Sequence, residues 1–268
     1  RYLRTVIGDV NLSLTTKQDK YAYKHDYERF KIFVSGVLAF MSFAILQIKQ
    51  TRVLDSLYHF ILVWFYCTLT IRERILIING SRIKGWWYTY HFIMTVLSAI
   101  MLVWTNSNSY HMFRSQFFSY VLYLQLVHCI QYHYQRGCLY KLRALGSRHS
   151  MDITVDGFMS WMFRNLTFVI PFLLLAYLFQ YYNAYTLYHI YNEPDCAEWE
   201  PLINAIMFFL LATGNLATMG MVLVQKLLAM KSPQVKQRLS SKYSYPATTQ
   251  KIADGIRRVS SLENSKDQ

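Results

Sequence analysis

Six stretches of this sequence are apolar over close to the length needed to cross a lipid bilayer, and nothing else in it constrains the fold as much. A helix spanning the hydrocarbon core takes about 20 mostly apolar residues. The runs 30–47, 53–71, 86–105, 116–134, 158–182 and 202–228 approach or exceed that length. Charged residues make up only 16% of the chain, against about 25% in an ordinary soluble domain. Several runs are nevertheless interrupted by polar groups, among them Asp55, His59, Gln125, His128, Gln131 and Arg164. Such groups are costly against lipid and normally face a bundle interior or a water-filled cavity. The expectation is an all-α membrane protein whose six transmembrane helices, over 30–228, enclose something polar. A juxtamembrane segment and helix over 1–29 precede them, and a disordered, basic and Ser-rich tail over 229–268 follows.

Orientation follows from the loops in which Lys and Arg collect. Lys17, Lys20, Lys24, Arg29 and Lys31 precede the first run; Arg72, Arg74, Arg82 and Lys84 lie between the second and third; Arg136, Lys141, Arg143 and Arg148 follow the fourth; Lys226, Lys231, Lys236 and Arg238 close the sixth. With six spans all four groups fall on one side, so both termini are expected in the cytosol. The opposite side carries Glu193, Asp195, Glu198 and Glu200. Most of the net charge of +13 is thereby accounted for by topology, and no nucleic-acid recognition motif accompanies it. The sequons at Asn11, Asn79 and Asn165 are expected to stay unglycosylated, the first two being cytosolic and the third within a span. The chain opens at Arg1 without an initiator Met, and an upstream segment is expected.

Local signals are consistent with this layout. Residues 10–15 alternate apolar and polar like a short strand, and Thr16 with Asp19 reads as a capping box opening a helix. Asn79-Gly80 marks a turn. Residues 135–161 read as a long basic loop with Gly137 and Gly146. Along the third run, Trp87, His91, Met94, Ser98 and Met101 recur at the spacing of one helix face. Trp86 either joins an interfacial aromatic belt or contacts a ligand. Gln125, His128, Gln131, Tyr132 and Gln135 form a polar side of the fourth run, read as a polar tunnel in preference to interhelical glue.

Cations beside a tryptophan suit a ligand with phosphates and a flat ring. The chain has neither a P-loop nor a GxGxxG fingerprint, which excludes a soluble-type nucleotide fold. No two of its eight His residues show metal-ligand spacing, leaving only a metal site assembled between helices. The four cysteines form no CxxC and suggest no disulfide framework.

The segments KYAYKHDYERFK, IRERILIINGSRIKGWW, FRSQFFS and QRGCLYKLRALGSRHSMDITVDGFMSWMFRNLTF together resemble the TACAN, or transmembrane protein 120, family, and the resemblance extends from about Val6 to Lys226. It implies a six-helix barrel like that of the very-long-chain fatty acid elongases, and coenzyme A in a deep cytosol-facing pocket. It also implies homodimers held through an upstream coiled coil. Trp87 matches the residue that stacks on adenine, Lys24, Gln131 and Lys226 match polar positions around the cofactor, and Met101 matches the closed inner end. The family's Trp-x-x-His-His string reads Trp87-Tyr88-Thr89-Tyr90-His91 here, so Tyr90 replaces the first His. Tyr, with a reference pKa of about 10, is a poor base at neutral pH. His91 is thus the one imidazole of that string, either a cofactor-contacting residue or a catalytic acid/base.

The function the resemblance implies is a coenzyme A-binding membrane protein of lipid metabolism, with coenzyme A or acyl-CoA and membrane lipids as partners. It would reside in the endoplasmic reticulum and inner nuclear membrane, with the plasma membrane as a further compartment. An acyl-CoA-handling enzyme, a mechanically gated ion channel and a non-catalytic scaffold are the alternatives.

Overall fold

The computed structural model describes residues 17–48, 51–80, 85–146, 155–194 and 196–231, with the backbone alone at 17, 141–146, 155–166 and 225–231. The strand-like stretch 10–15, Thr16, Arg82 and Lys84 lie outside the described residues. Six helices follow in order: α1 Lys17–Gln47, α2 Arg52–Ile78, α3 Gly85–Val103, α4 Asn108–Gly146, α5 Val155–Tyr191 and α6 Glu200–Lys231. Among the described residues there is no strand. Four helices are long and apolar enough to cross a membrane, through Gln18–Gln47, Gly85–Val103, Thr167–Tyr191 and Glu200–Val224. The polar residues of the second and fourth runs sit on α2 and α4.

Two boundaries differ from the sequence reading. The basic loop expected over 135–161 is largely helical, since α4 runs through Gly137 to Gly146 and α5 has begun by Val155. The stretch Cys138–Leu139–Tyr140–Lys141–Leu142–Arg143–Ala144–Leu145 contains no Pro and is rich in strong helix formers, and one interior Gly costs a helix only about 1 kcal/mol. The last helix also extends through Lys231, so residues 229–231 of the expected tail are helical. The remainder of that tail, 232–268, lies outside the described residues.

The expected turn at Asn79-Gly80 is present. Gly80 takes a left-handed backbone with φ 88°, and its N–H donates to Ile77 O at 3.0 Å, closing α2 as a glycine does just past a helix end. Because α2 continues to Ile78, Arg72 and Arg74 are helical rather than part of a loop.

The chain separates into two compact units. The first comprises residues 1–136 and 166–221 and holds the core described below; the second comprises 137–165 and 222–268 and is helical over its described residues. In the first unit α2 packs along α3 and α1 against α2. One end of its core is aromatic: Tyr58, Trp104, Tyr110, Phe113, Phe117, Phe118 and Phe208 are almost wholly enclosed. Edge-to-face contacts link them, such as Tyr58 with Phe118 at 5.3 Å and Trp104 with Tyr110 at 5.8 Å, the geometry aromatic quadrupoles favour.

Candidate functional site

Two buried polar clusters lie toward opposite ends of α2, 18 residues apart in sequence and so about 27 Å along the helix. The first centres on Glu73. Its carboxylate accepts Tyr27 Oη on Oε1 at 2.6 Å and pairs with His91 Nδ1 through Oε2 at 2.7 Å. Three helices thus contribute to it: α1, α2 and α3. All three residues are buried, Glu73 at 4% and His91 at 5% exposure. The Tyr66 ring stacks on His91 with centroids 6.1 Å apart and planes at 28°, and Tyr90 meets it edge-on at 5.4 Å.

One turn beyond Tyr27, Lys31 is buried against Glu28 at 2.8 Å and donates to Gln135 Oε1 at 2.8 Å. Its ammonium lies over the rings of Tyr27 and Tyr132, 4.4 and 4.3 Å from their centroids, which is cation–π contact in a desolvated setting. His128 stacks on Tyr132 at 5.2 Å, and its Nδ1 is buried without a hydrogen-bond partner, as is Ser35 Oγ one turn beyond Lys31. On the polar side of α4, Gln135 thus bonds across helices, as the glue reading has it, and His128 holds an unmet polar atom.

The second cluster centres on Asp55. Arg114 clamps its carboxylate with Nε to Oδ2 at 2.6 Å and Nη2 to Oδ1 at 2.8 Å, while Tyr110 Oη donates to Oδ2 at 2.9 Å. This planar two-bond match is the strongest geometry available to such a pair. Arg52 donates to Leu102 O at 3.0 Å and to Trp104 O, capping the end of α3, and lies over the Tyr110 ring at 4.2 Å. Both Asp55 and His59 are fully enclosed, as their place inside an apolar run implied.

Of the residues singled out from sequence, Trp87, Tyr90 and His91 come together: Trp87 is half-buried and meets Tyr90 edge-on at 6.1 Å. Met94, Ser98 and Met101 continue that face into the core, all buried, and Asn204 Nδ2 approaches Met101 Sδ at 3.6 Å. Gln131 is buried one turn from His128. Lys24 is half-buried on α1. Lys226 is helical, and its side chain lies outside the described residues.

Arg72 is buried in an ion pair with Asp26 at 3.1 Å and lies over the Phe30 ring. Trp86 is half-buried and bonded to another helix. Its Nε1 donates to Asn215 Oδ1 at 2.9 Å, Asn215 Nδ2 donates to Gln180 Oε1 at 3.1 Å, and Gln180 Nε2 donates to Tyr120 Oη at 2.8 Å. That chain ties α3, α6, α5 and α4 together.

Sequence reasoning missed Glu73, Tyr27 and Glu28. The available signal was Glu73 itself, one acid set between Arg72 and Arg74. A lone carboxylate amid fixed cations at the end of an apolar helix is poorly explained by topology.

The family profile described as TMEM120A/B matches residues 1–230. Transmembrane protein 120A-A of Danio rerio is 51% identical over 222 residues, 82% of this chain and 65% of that protein. Transmembrane protein 120A of Xenopus tropicalis is 50% identical over 225 residues, 84% of this chain and 67% of that protein. Transmembrane protein 120B of Homo sapiens is 47% identical over 226 residues, again 84% and 67%. The chain thus spans about two-thirds of the length of these curated relatives.

Proposed function

The chain belongs to the TMEM120A/B family and is a helical, multi-pass integral membrane protein, and from that premise we propose that it binds coenzyme A within its bundle and handles acyl-CoA in lipid metabolism. In this reading all six helices span the membrane in an elongase-like barrel. Both termini are cytosolic, in keeping with the side on which Lys and Arg collect. Homodimerisation through an upstream coiled coil and residence in the endoplasmic reticulum and inner nuclear membrane belong to the same proposal.

The observation that carries it is the charged interior between α1 and α4: Tyr27, Glu73, His91, Lys31, Glu28 and Gln135 form hydrogen bonds and ion pairs inside a membrane bundle. Intramembrane ionisable groups are expensive and mark functional sites by default. The residues present fit such an occupant. Ser35 Oγ and His128 Nδ1 are buried polar atoms without partners, which a polar ligand would satisfy. Trp87 offers a half-buried aromatic face for a base, and Lys24 a half-buried cation for phosphate.

Coenzyme A, when bound, supplies a thiol able to carry an acyl group as a thioester. The chain's own contribution is to orient and exclude water: the rings of Phe113, Phe117 and Phe118 are fully enclosed, and the Asp55–Arg114 clamp ties α2 to α4 beside them. That closed end favours a one-ended pocket over a through-going ion path, since conduction requires a continuous polar or wettable lining. The test is mass spectrometry of small molecules extracted from the purified protein. Coenzyme A is expected from the wild type and at least several-fold less from Trp87→Ala; equal amounts, or none from either, would overturn the proposal.

A further inference from the structure

We propose that Glu73 is the positioning residue of a proton-accepting site, in which its carboxylate holds the Nδ1 proton of His91 and leaves Nε2 of the same ring as the acceptor toward the occupant of the bundle. The inference rests on the coenzyme A reading above for the identity of that occupant, but its geometry is independent of it. The pairing of His91 Nδ1 with Glu73 Oε2 at 2.7 Å sets the tautomer, because a carboxylate can only accept and the ring nitrogen facing it must carry the hydrogen. This is the arrangement by which an acid orients an imidazole and stabilises the cation it becomes on taking up a proton. Tyr27 Oη, donating to Glu73 Oε1 at 2.6 Å, occupies the second oxygen and fixes the plane of the carboxylate.

The surroundings suit that role. Tyr66 of α2 and Tyr90 of α3 wall the imidazole with ring contacts. From α1 the Glu28–Lys31 ion pair stands nearby, and from α4 His128 and Tyr132 interact electrostatically with the pair. Arg72, the cation adjacent to Glu73 in sequence, is turned toward Asp26. Glu73 is thus directed to His91 and Tyr27, an outcome a purely topological charge would not require.

The step assigned to the site is a proton transfer. With coenzyme A bound and its thiol at this imidazole, the S–H proton would pass to His91 Nε2, forming an N–H bond there while the bonding pair stays on sulfur. The positive charge gained by the ring is balanced by Glu73, and no oxidant or reductant takes part. A histidine beside a thiol raises its reactivity near neutral pH in this way.

The experiment uses the full chain, purified and saturated with coenzyme A, and treated with iodoacetamide across a pH series. The alkylated coenzyme is quantified by mass spectrometry, which separates it from alkylated cysteines of the chain. In the wild type the pH midpoint for alkylation of bound coenzyme A is expected below that of free coenzyme A. Glu73→Gln should bind a similar amount but move the midpoint up by about one pH unit and slow alkylation at neutral pH about tenfold, with Glu73→Asp restoring part of the rate.

A role of Glu73 in packing alone would change the amount bound or the melting temperature and leave the midpoint in place. Coenzyme A bound with the same midpoint in wild type and Glu73→Gln overturns this inference and leaves the binding proposal standing. A wild type that retains no coenzyme A overturns both. Should Glu73→Gln not fold, nitrogen-15 NMR of the wild-type histidines decides the matter: His91 is expected with a protonated Nδ1 and bare Nε2, and the opposite tautomer overturns the assignment.

Discussion

The contact between Trp86 and Gly214 shows how closely single residues are fitted here. A Cβ added at Gly214 would lie 1.9 Å from Trp86 Cζ2 and 2.0 Å from Cη2, a distance that no rotation of a methyl group relieves. The indole would have to leave its place and give up the bond from Nε1 to Asn215. Gly214→Ala is therefore expected to destabilise the protein by about 1–3 kcal/mol, the usual range for overpacking a close-packed site. Thermal unfolding of purified protein should show a lowered melting temperature. Made in a Trp86→Leu background, the same substitution should be close to neutral, because the clashing ring is gone; a double-mutant cycle that returns simple additivity would refute the account. The sequence showed Trp86 as a membrane-boundary residue and gave no sign of this partner 128 positions away. A tryptophan's hydrogen-bond partner on another helix leaves no local periodicity. His91, Met94, Ser98 and Met101 were legible for the opposite reason. Their three- and four-residue spacing is a property of one helix, and the buried face it implied is present.

At the scale of elements, the short connections matter as much as the helices. The bend after α3 is held to the segment before α6 by Glu198, whose carboxylate accepts Trp104 Nε1 at 2.7 Å, Thr105 Oγ1 at 2.9 Å and Ser107 Oγ at 2.9 Å. Burial pushes this carboxyl up, but hydrogen bonding from Trp104, Ser107, Thr105 and Ser109 outweighs it and holds it below the usual carboxylate range. A carboxylate depressed in the folded state contributes stability that is present above its unfolded pKa and is lost as pH falls through the folded value. The melting temperature of the wild type should therefore exceed that of Glu198→Gln at neutral pH, and the gap should close on acidification below the ordinary glutamate range. A gap that persists unchanged at acid pH would exclude charge as its source. From sequence, Glu198 was one of four acids marking the non-cytosolic side, a reading based on charge that carried no information about which acid was bonded. The helix extents show the same limit. Gly137 and Gly146 made 135–161 read as a loop, yet the intervening Leu, Lys, Arg and Ala residues favour a helix and α4 runs on.

For the whole molecule, the question that separates the proposed functions is whether polar groups connect one side of the bundle to the other. The Glu73 cluster and the Asp55 cluster are both charged; the sequence placed Asp55 inside a span-length run, whereas Glu73 fell just beyond the end of that run and was missed. What it could not supply was their pairing, since Tyr27 with Glu73 and Asp55 with Arg114 bridge 46 and 59 residues. Between them the described core is mainly apolar, with Leu62, Phe65, Leu69, Met94 and Leu97 enclosed, but it also buries His59 and Gln125. At the Asp55 end Arg114 is fully engaged by the carboxylate, so no ring of free charge faces a path there. Selective conduction needs charges or carbonyls arrayed along a continuous route, and the enclosed aromatic and aliphatic side chains that make up most of this core oppose wetting. The purified protein in planar bilayers is accordingly expected to give no pressure-evoked current. Robust single-channel openings in the wild type that are altered by Asp55→Asn would reverse that conclusion, because they would require the clamped end to part and admit water. Silence under pressure together with co-purified coenzyme A would instead mean that the charged interior serves an occupant entering from the Trp87 end.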